Sequence, residues 1–306
     1  MLLCDEYLTP RSLEDAFDAM ARNVGRFKLV AGATDLLPWA REGRAGDVTI
    51  PVLIDIARIP ELTERRIEGG RVRIGAATVF QRFLTEPELV GALPEMPRCA
   101  VWFADDQIRE SATIGGNLVN ASPAADGIPP LLAHNAEVEL AARRDGAIVR
   151  RRMALEDFVT GPGRTAIADD EILLAVACDD LTGYGGSFEK VGHRRSLVIS
   201  TVCLAALVKL GADGRRFDDV RLAIGGIGPV ARRLGDAERM LVGRPVTSEL
   251  LQKAAALPAD LIQSRTRRDY RRSVGSGFLM RGLINAIRAA GGDAPDLPAE
   301  LEVAYA

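Results

Sequence analysis

The stretch from Ala112 to Asp126 constrains the fold of this chain more than any other part of its sequence. It runs ATIGGNLVNASPAAD, with the glycine pair Gly115 and Gly116 in its first half. Short hydrogen-bonding side chains surround this pair, at Thr113, Asn117, Asn120 and Ser122. So many polar groups are costly to bury without partners, and paired glycines permit unusual backbone angles and let a ligand approach the backbone closely. The stretch therefore predicts a turn that binds an anion or a nucleotide, with a polar surface loop as the alternative.

An acidic residue at the end of this stretch favours a nucleotide. Asp126 is an acceptor suited to a ribose hydroxyl. The glycine spacing matches neither GxGxxG nor a Walker sequence, so a Rossmann fold or a P-loop is not predicted here. The kind of nucleotide stays open on these residues alone.

A turn of small residues occurs earlier in the chain, after a short predicted strand at residues 28–31. The residues concerned are Lys28, Leu29, Val30, Ala31, Gly32, Ala33, Thr34, Asp35 and Leu36. Small side chains allow backbone N–H groups to converge on an anion, and a helix beginning at Thr34 or Asp35 would add partial positive charge. An ordinary strand-to-helix turn with Asp35 as the N-cap explains the same residues more simply.

The size and charge of the chain exclude several classes of protein. With 306 residues the chain fits two domains better than one, and a hydrophobic content of 47% supplies an ordinary core. A net charge of −3 argues against a nucleic-acid-binding protein. Scattered spacing leaves no metal or iron–sulfur site to be expected from the four cysteines, Cys4, Cys99, Cys178 and Cys203.

The N-terminal segment predicts where the chain resides. It reaches acidic residues by Asp5 and has neither the basic nor the apolar region of a signal peptide. No stretch approaches the length of a membrane span, and single scattered cysteines are typical of a reducing compartment. We therefore expect a cytoplasmic protein without a membrane span.

Hydrophobic periodicity predicts an α+β protein in two parts. The first part combines a helix around Leu13–Met20, capped by Thr9 or Ser12, with strands at residues 28–31, 52–56, 72–74, 138–140 and 171–178. The last third predicts three strands and then three helices, at residues 187–191, 200–210, 220–225, 236–241, 247–256 and 269–290. This order indicates an antiparallel sheet backed by helices. The charged, glycine-containing segment 169–186 is the expected boundary.

Taken together, the two motifs resemble those of a known flavoprotein family. KLVAGATDLL and FADDQIRESATIGGNLVNASPAADGIPPLL are similar, in order and separation, to the motifs of the FAD-binding medium subunit (subunit M) of the molybdenum hydroxylases, of the xanthine dehydrogenase and carbon monoxide dehydrogenase type. RIGAAT lies between them, and later landmarks of the family are resembled by DEILLAV, FEKVGHRRS, LAIGGIGPVARR and DYRRSVGSGFLMRGLINAI. The resemblance covers nearly the whole chain.

The resemblance implies a fold and a division of the chain. A two-part PCMH-type FAD-binding domain is expected at residues 1–178, with subdomains at about 1–57 and 58–178. A smaller domain of antiparallel sheet plus helices, like the C-terminal domain of the CO dehydrogenase flavoprotein, is expected at 179–291. A loosely held tail follows at 292–306.

The resemblance also implies which residues bind FAD. Residues 28–36 correspond to one pyrophosphate-binding turn, and the second pyrophosphate contact corresponds to Thr113, Gly115, Gly116 and Asn117. Asp126 matches a residue near the sugar portion of the flavin, and Lys190 matches a basic residue near the flavin that would stabilise the anionic reduced form. The remaining expected cofactor-binding residues are Thr78, Phe103, Ser122 and Leu173, of which Phe103 matches an aromatic near the flavin rings and Leu173 an apolar neighbour.

One residue departs from the pattern of the family. Ala33 stands where many relatives have a second glycine. An alanine still exposes its N–H, but it does not adopt a strongly positive φ at low cost. We therefore expect the turn to avoid that conformation.

The resemblance implies an electron-transfer role without catalytic residues or metal ligands on this chain. The expected partners are an iron–sulfur small subunit with 2Fe–2S clusters and a molybdopterin large subunit, in a heterotrimer or a dimer of heterotrimers. FAD would pass electrons from the clusters to NAD⁺ or another acceptor. The alternatives are a stand-alone PCMH-type flavin oxidoreductase and a nucleotide-binding scaffold without redox activity. The substrate would be selected on the large subunit.

Overall fold

The computed structural model describes residues 1–42, 48–194, 197–263 and 266–296. The strands of this part of the chain are β1 (Leu2–Leu3), β2 (Glu6–Leu8), β3 (Phe27–Val30), β4 (Val48–Thr49), β5 (Val52–Asp55), β6 (Arg65–Glu68), β7 (Arg71–Gly75), β8 (Glu137–Arg144), β9 (Ala147–Ala154), β10 (Val159–Gly161), β11 (Arg164–Thr165), β12 (Glu171–Asp179), β13 (Gly185–Val191), β14 (Val202–Leu210), β15 (Phe217–Gly225) and β16 (Arg232–Arg233). Its helices are α1 (Leu13–Arg22), α2 (Leu36–Arg41), α3 (Pro60–Thr63), α4 (Arg82–Thr85), α5 (Pro87–Ala92), α6 (Met96–Trp102), α7 (Asp106–Arg109), α8 (Ile114–Asn120), α9 (Ile128–Ala133), α10 (Leu155–Phe158), α11 (Gly235–Leu241), α12 (Ser248–Ala256) and α13 (Arg268–Ala289), with a 3₁₀ helix at Leu257–Leu261. Residues 297–306 of the expected tail lie outside the described residues.

The N-terminal part is a three-stranded parallel sheet covered by α1. Its strand order is β2-β5-β3, and both outer strands run parallel to β5. Helix α1 begins after Ser12, whose hydroxyl accepts the N–H of Asp15, so Ser12 and not Thr9 is the cap. The apolar face of α1, including Phe17 and Met20, packs against Val52 and Ile54 of the sheet. The carboxyl end of β3 leads directly into the first of the two motifs.

A five-stranded antiparallel sheet forms the middle of the molecule, in the order β6-β7-β12-β8-β9. Strand β12 lies between β7 and β8 and is buried over nearly its whole length. One face of this sheet packs on the N-terminal part through Ile172 and Leu174. The other face packs on the surrounding helices through Val176 and Cys178. Because β12 fills residues 171–179, the irregular backbone at the expected boundary is short.

The C-terminal part is a four-stranded antiparallel sheet, ordered β13-β14-β15-β16, with α11 to α13 on one side. Strand β14 is apolar on both faces, and its side chains alternate between two cores. Leu204 and Ala206 pack toward α13, whereas Cys203, Ala205 and Leu207 join the core that contains α6 and α9. The sheet is therefore sandwiched between its own helices and those of the first part of the chain.

This architecture confirms the expected fold class. The chain mixes helices with mainly antiparallel sheets in two successive parts, and the predicted strands and helices of the last third all occur within a few residues of their predicted bounds. In the part of the chain that the structure describes, no helix combines the length and the apolar character needed to cross a lipid bilayer.

Candidate functional site

The two glycine-containing motifs meet at a cleft of about 420 Å³. One wall is the segment from β3 into α2, and the other is the beginning and outer face of α8. Ligand-binding clefts in proteins commonly have this size. The predicted residues in the lining are Lys28, Leu29, Val30, Ala31, Gly32, Ala33, Thr34, Asp35, Leu36, Phe103, Thr113, Gly116 and Asn117. Residues 28–36 and four predicted residues far from them in sequence, Phe103, Thr113, Gly116 and Asn117, thus line one cleft.

The first loop, residues 31–35, crosses the second motif at very short range. A Cβ atom placed on Gly32 would lie 1.9 Å from the carbonyl oxygen of Ser111, which is backbone and cannot rotate away. Glycine is therefore needed at this position for close approach and not for a positive φ. The left-handed conformation occurs one residue later, at Ala33, whose φ is 53°. Our expectation that Ala33 avoids positive φ is wrong, because the crossing requires the sharp turn at the position after Gly32.

The backbone donors of the first loop are unused. Among the residues that the structure describes, no oxygen accepts the N–H groups of residues 32–36. Unpaired backbone N–H groups beside a cleft are ready donors for an anion or for water. This observation fits a ligand that carries phosphate oxygens, such as the pyrophosphate of FAD.

Asp35 occupies the N-cap position of α2 without capping it. Its backbone has φ −97° and ψ −44°, and its side chain accepts no hydrogen bond from the helix. Partial burial raises the pKa of Asp35 above its ordinary value. The simple strand-to-helix turn, with Asp35 as the cap, is therefore not what the sequence forms here.

The second motif is a short helix start and not an open loop. Thr113 caps α8 by accepting the N–H of Gly116 through its hydroxyl at 3.0 Å, and its carbonyl accepts the N–H of Asn117. Neither glycine has a positive φ. Gly115 is required by space, since an added Cβ would lie 2.6 Å from the backbone oxygen of Ala76. The paired glycines serve close packing, contrary to the unusual backbone angles that they suggested.

The polar side chains of the second motif mostly hold the motif itself. The amide oxygen of Asn117 accepts the N–H of Gly127 at 3.1 Å, and the hydroxyl of Ser122 accepts the N–H of Ala124. Thr78 lies beneath this segment, where its carbonyl accepts the N–H of Ile114. The buried hydroxyl of Thr78 has no hydrogen-bond partner among the described residues. Thr78 does not line the cleft, so this hydroxyl lies beneath the wall and not in the wall itself.

Asp126 and Lys190 form a buried ion pair between the two parts of the chain. The ammonium of Lys190, on β13, lies 2.5 Å from the Asp126 carboxylate, and the hydroxyl of Ser200 donates to the same carboxylate. Burial raises the pKa of Asp126, against the opposing effect of Lys190. Lys190 also donates to the carbonyl of Trp102, next to Phe103. The pair is therefore adjacent to the cleft but does not line it.

The other predicted residues lie deeper. Leu173 is in the core of the five-stranded sheet, and Gly115 packs on Ala76. Phe103 does reach the cleft, where its ring stacks on Phe80 with centroids 3.8 Å apart. Within the described residues there is no group of three or more side chains that could hold a metal ion.

The lining contains residues that sequence reasoning missed. Besides the predicted residues, the cleft is formed by Trp39, Ala112, Val119, Asn120 and Gly163. Asn120 carried a signal, because it belongs to the polar stretch around the glycine pair. Gly163 carried none, since it comes from the turn after β10, which only the fold brings near the motifs. Trp39 lies on α2, three residues beyond Leu36 of the first motif.

Comparison with protein families identifies both parts of the chain. Residues 3–178 match the FAD binding domain in molybdopterin dehydrogenase, and residues 187–286 match the CO dehydrogenase flavoprotein C-terminal domain. The first match alone spans more than half of the chain.

Individual relatives align along nearly their whole length. The chain is 30% identical to the nicotinate dehydrogenase FAD-subunit of Eubacterium barkeri, over 86% of this chain and 88% of that protein. It is 29% identical to the xanthine dehydrogenase FAD-binding subunit of Escherichia coli, over 94% and 97% of the two chains. Among solved structures, carbon monoxide dehydrogenase from Hydrogenophaga pseudoflava superimposes with a TM-score of 0.84 at 28% identity, over 95% of this chain and 99% of the other.

Proposed function

This chain belongs to the FAD-binding medium subunits of the molybdenum hydroxylases, and on that premise we propose that it is the electron-transfer subunit of a heterotrimeric enzyme. It would accept electrons from 2Fe–2S clusters on a small subunit and pass them to NAD⁺ or another acceptor. A large subunit would hold molybdopterin and carry out the substrate chemistry. The observation that carries the proposal is the cleft where the two motifs meet, with the unused N–H groups of residues 32–36 along one wall.

The residues of the cleft fit the parts of FAD. The free N–H groups of residues 32–36 would bind the pyrophosphate, while Gly32 and Gly116 keep the walls open to it. Phe103 would contact the flavin side of the cofactor. Asp126, Leu173 and Lys190 would surround that side from behind Phe103, since Lys190 donates to the neighbouring carbonyl of Trp102.

The protein contributes binding and orientation, and the bound cofactor contributes the redox chemistry, because FAD accepts electrons singly and releases them as a pair. No acid or base of this chain is required for that transfer. Because Lys190 is already paired with Asp126, it would face the flavin as part of an ion pair and not as a free cation.

The relatives named above act on different molecules, according to their names: nicotinate, xanthine and carbon monoxide. One FAD-binding fold thus serves several substrates, which supports the proposal that substrate choice resides on another subunit. We propose a cytoplasmic location for the complex.

The proposal is tested by purifying the chain and releasing its cofactor by denaturation. We expect FAD, in a ratio near one per chain. A chain that contains no FAD and takes up none when it is added would contradict the proposal. Bound ADP-like ligands without flavin absorbance would favour the alternative of a scaffold.

Assembly is tested separately by co-expressing the chain with its neighbouring reading frames. We expect a three-subunit complex in which adding the large subunit's substrate reduces the FAD of this chain. A chain that binds FAD but stays monomeric would retain the cofactor assignment and exclude the subunit role. Reduction of the isolated chain by a substrate of its own would favour the stand-alone oxidoreductase.

A further inference from the structure

The segment that carries Phe103 is held by two buried cations from different parts of the chain. It ends helix α6, and each of its successive carbonyl oxygens accepts a hydrogen bond from an arginine or a lysine. Arg109 donates to Val101 at 3.4 Å and to Phe103 at 3.1 Å, and Lys190 donates to Trp102 at 3.0 Å. Hydrogen bonds from charged donors are stronger than neutral ones. The backbone of this segment is therefore clamped at every residue.

Arg109 is built into the fold in a way that suits this task. It is only 8% exposed, its Nε donates to the side-chain oxygen of Gln81, and its remaining nitrogen pairs with Asp106. The N–H of Gln81 in turn donates to the carbonyl of Arg109. Gln81 directly follows Phe80, so Arg109 links the segments that carry the two stacked rings, through its guanidinium on the Phe103 side and through both its guanidinium and its own carbonyl on the Gln81 side.

The clamped segment needs such support because of its conformation. Ala104, which follows Phe103, has a φ of 49°, an unfavourable value for a residue with a side chain. The ring of Phe103 stacks on the fully buried ring of Phe80, with an interplanar angle of 4°. Without the clamp the strained turn at Ala104 would relax, and the Phe103 ring would leave this orientation at the cleft.

We propose that Arg109 is a positioning residue of the cofactor site. Its guanidinium holds the backbone of residues 101–103 and thereby fixes the Phe103 ring at the wall of the cleft. The inference rests on the proposed use of this cleft by FAD. Arg109 touches neither the cleft nor its contents, because it is absent from the lining. Its effect on the flavin therefore passes through Phe103.

The experiment compares Arg109→Met with Arg98→Met in the full chain, by titrating FAD onto protein stripped of cofactor. Arg98 is exposed on α6, the helix that leads into the same loop, and it serves as the matched control. For Arg109→Met we expect FAD affinity to fall about tenfold, the loss typical of one charged hydrogen bond, and the visible circular dichroism of the bound flavin to change. Arg109→Lys should retain part of the FAD affinity and of the wild-type circular dichroism, and Arg98→Met should match the wild type in both measurements.

A double substitution distinguishes positioning from general stability. Phe103→Leu should change the flavin spectrum as Arg109→Met does, and combining the two should add little, since both act on one ring. Additive effects, or an Arg109→Met protein with lowered melting temperature but a wild-type flavin spectrum, would overturn the proposal. If Arg109→Met does not fold, the flavin spectrum of Arg109→Gln is measured instead, and the same change is expected. Failure of the proposed function looks different, because the wild type itself would then bind no FAD.

Discussion

The two motifs that form the cleft use their backbones in opposite ways. In the first loop, the N–H groups of residues 32–36 find no acceptor in the described part of the chain. In the second motif, the N–H groups of residues 114–117 all donate to protein oxygens, on Thr78, Ala76 and Thr113. The first loop thus leaves its donors to a ligand or to water, whereas the second motif satisfies its own donors within the protein.

This difference shows that the motif most conspicuous in the sequence is not the one that presents free hydrogen-bond donors to the cleft. The second motif is the more conspicuous in sequence, yet its glycines and short polar side chains mainly fold it and bring it against the first loop. The first loop looks like a common turn, yet it presents the free donors. We infer that the second motif shapes the cleft and that the first loop supplies most of the pyrophosphate contacts.

The largest effect should come from closing the crossing between the motifs. In Gly32→Ala the new Cβ would collide with the Ser111 carbonyl, so the first loop must move, and we expect FAD affinity to fall at least about 100-fold, or about 3 kcal/mol. In Gly116→Ala the new Cβ meets only the Thr113 hydroxyl, at 2.9 Å, and a loss below about tenfold is expected. Flavin fluorescence titration measures both. Equal losses of FAD affinity in the two variants would contradict the different roles that we assign to the two motifs.

A smaller effect, on folding, should follow from removing the cap of the second motif. Thr113→Ala deletes the hydroxyl that accepts the Gly116 N–H, and we expect the free energy of unfolding to fall by about 1 kcal/mol. Thr113→Ser keeps the hydroxyl and should retain most of that stability. Denaturant unfolding of the FAD-free protein gives the values. If Thr113→Ala left stability unchanged and reduced only FAD affinity, the second motif would be a ligand-contacting segment after all.

The charge of the first loop predicts a pH dependence. Desolvation raises the pKa of Asp35, so ionising its carboxyl group costs more free energy in the folded chain than in the unfolded chain, and this cost declines as the pH falls through the raised pKa towards the ordinary one. An ionised carboxylate at the cleft would also repel a pyrophosphate. FAD affinity should therefore increase as the pH is lowered, and Asp35→Asn should raise it about threefold at neutral pH, as expected for one partly screened charge. An Asp35→Asn protein with weaker binding would show that the carboxylate contacts FAD favourably.

The smallest effect should come from Ala33, where an alanine holds a left-handed conformation. Ala33→Gly removes a strain of about 1 to 2 kcal/mol but increases the freedom of the unfolded chain, so a net gain below about 1 kcal/mol is expected. Ala33→Val should lose stability. Melting temperatures with and without FAD measure both, and an unaltered Ala33→Val protein would mean that the turn is not strained.

Much of the fold followed from local patterns in the sequence. The strands and helices of the last third were predictable from their runs of apolar residues, and Ser12, one of the two expected caps, does cap α1. Strand β9 was missed, since it is an edge strand exposed on both faces, and its three consecutive arginines, Arg150 to Arg152, hide any alternation. Those arginines pair with Glu139 on the adjacent strand β8 and with Glu171 on β12, which a single sequence does not reveal.

The candidate site was only partly predictable. Its location at the two motifs followed from their composition and from the resemblance to the family. The sequence did not reveal that Gly32 is needed for close approach while Ala33 takes the positive φ. This arrangement depends on the approach of Ser111, which lies far away in sequence. The pairing of Lys190 with Asp126 was also hidden, since it forms only when β13 is placed beside the end of the second motif.

The sandwiched C-terminal sheet has a consequence for how such chains can be recombined. Its strand β14 contributes Cys203, Ala205 and Leu207 to the core of the FAD-binding part and Leu204 and Ala206 to the core beneath α13. A chimera that joined the first part of one relative to the last part of another would have to match side-chain shapes on both faces at once. The residues on both faces of β14 would therefore have to be exchanged together in such a chimera.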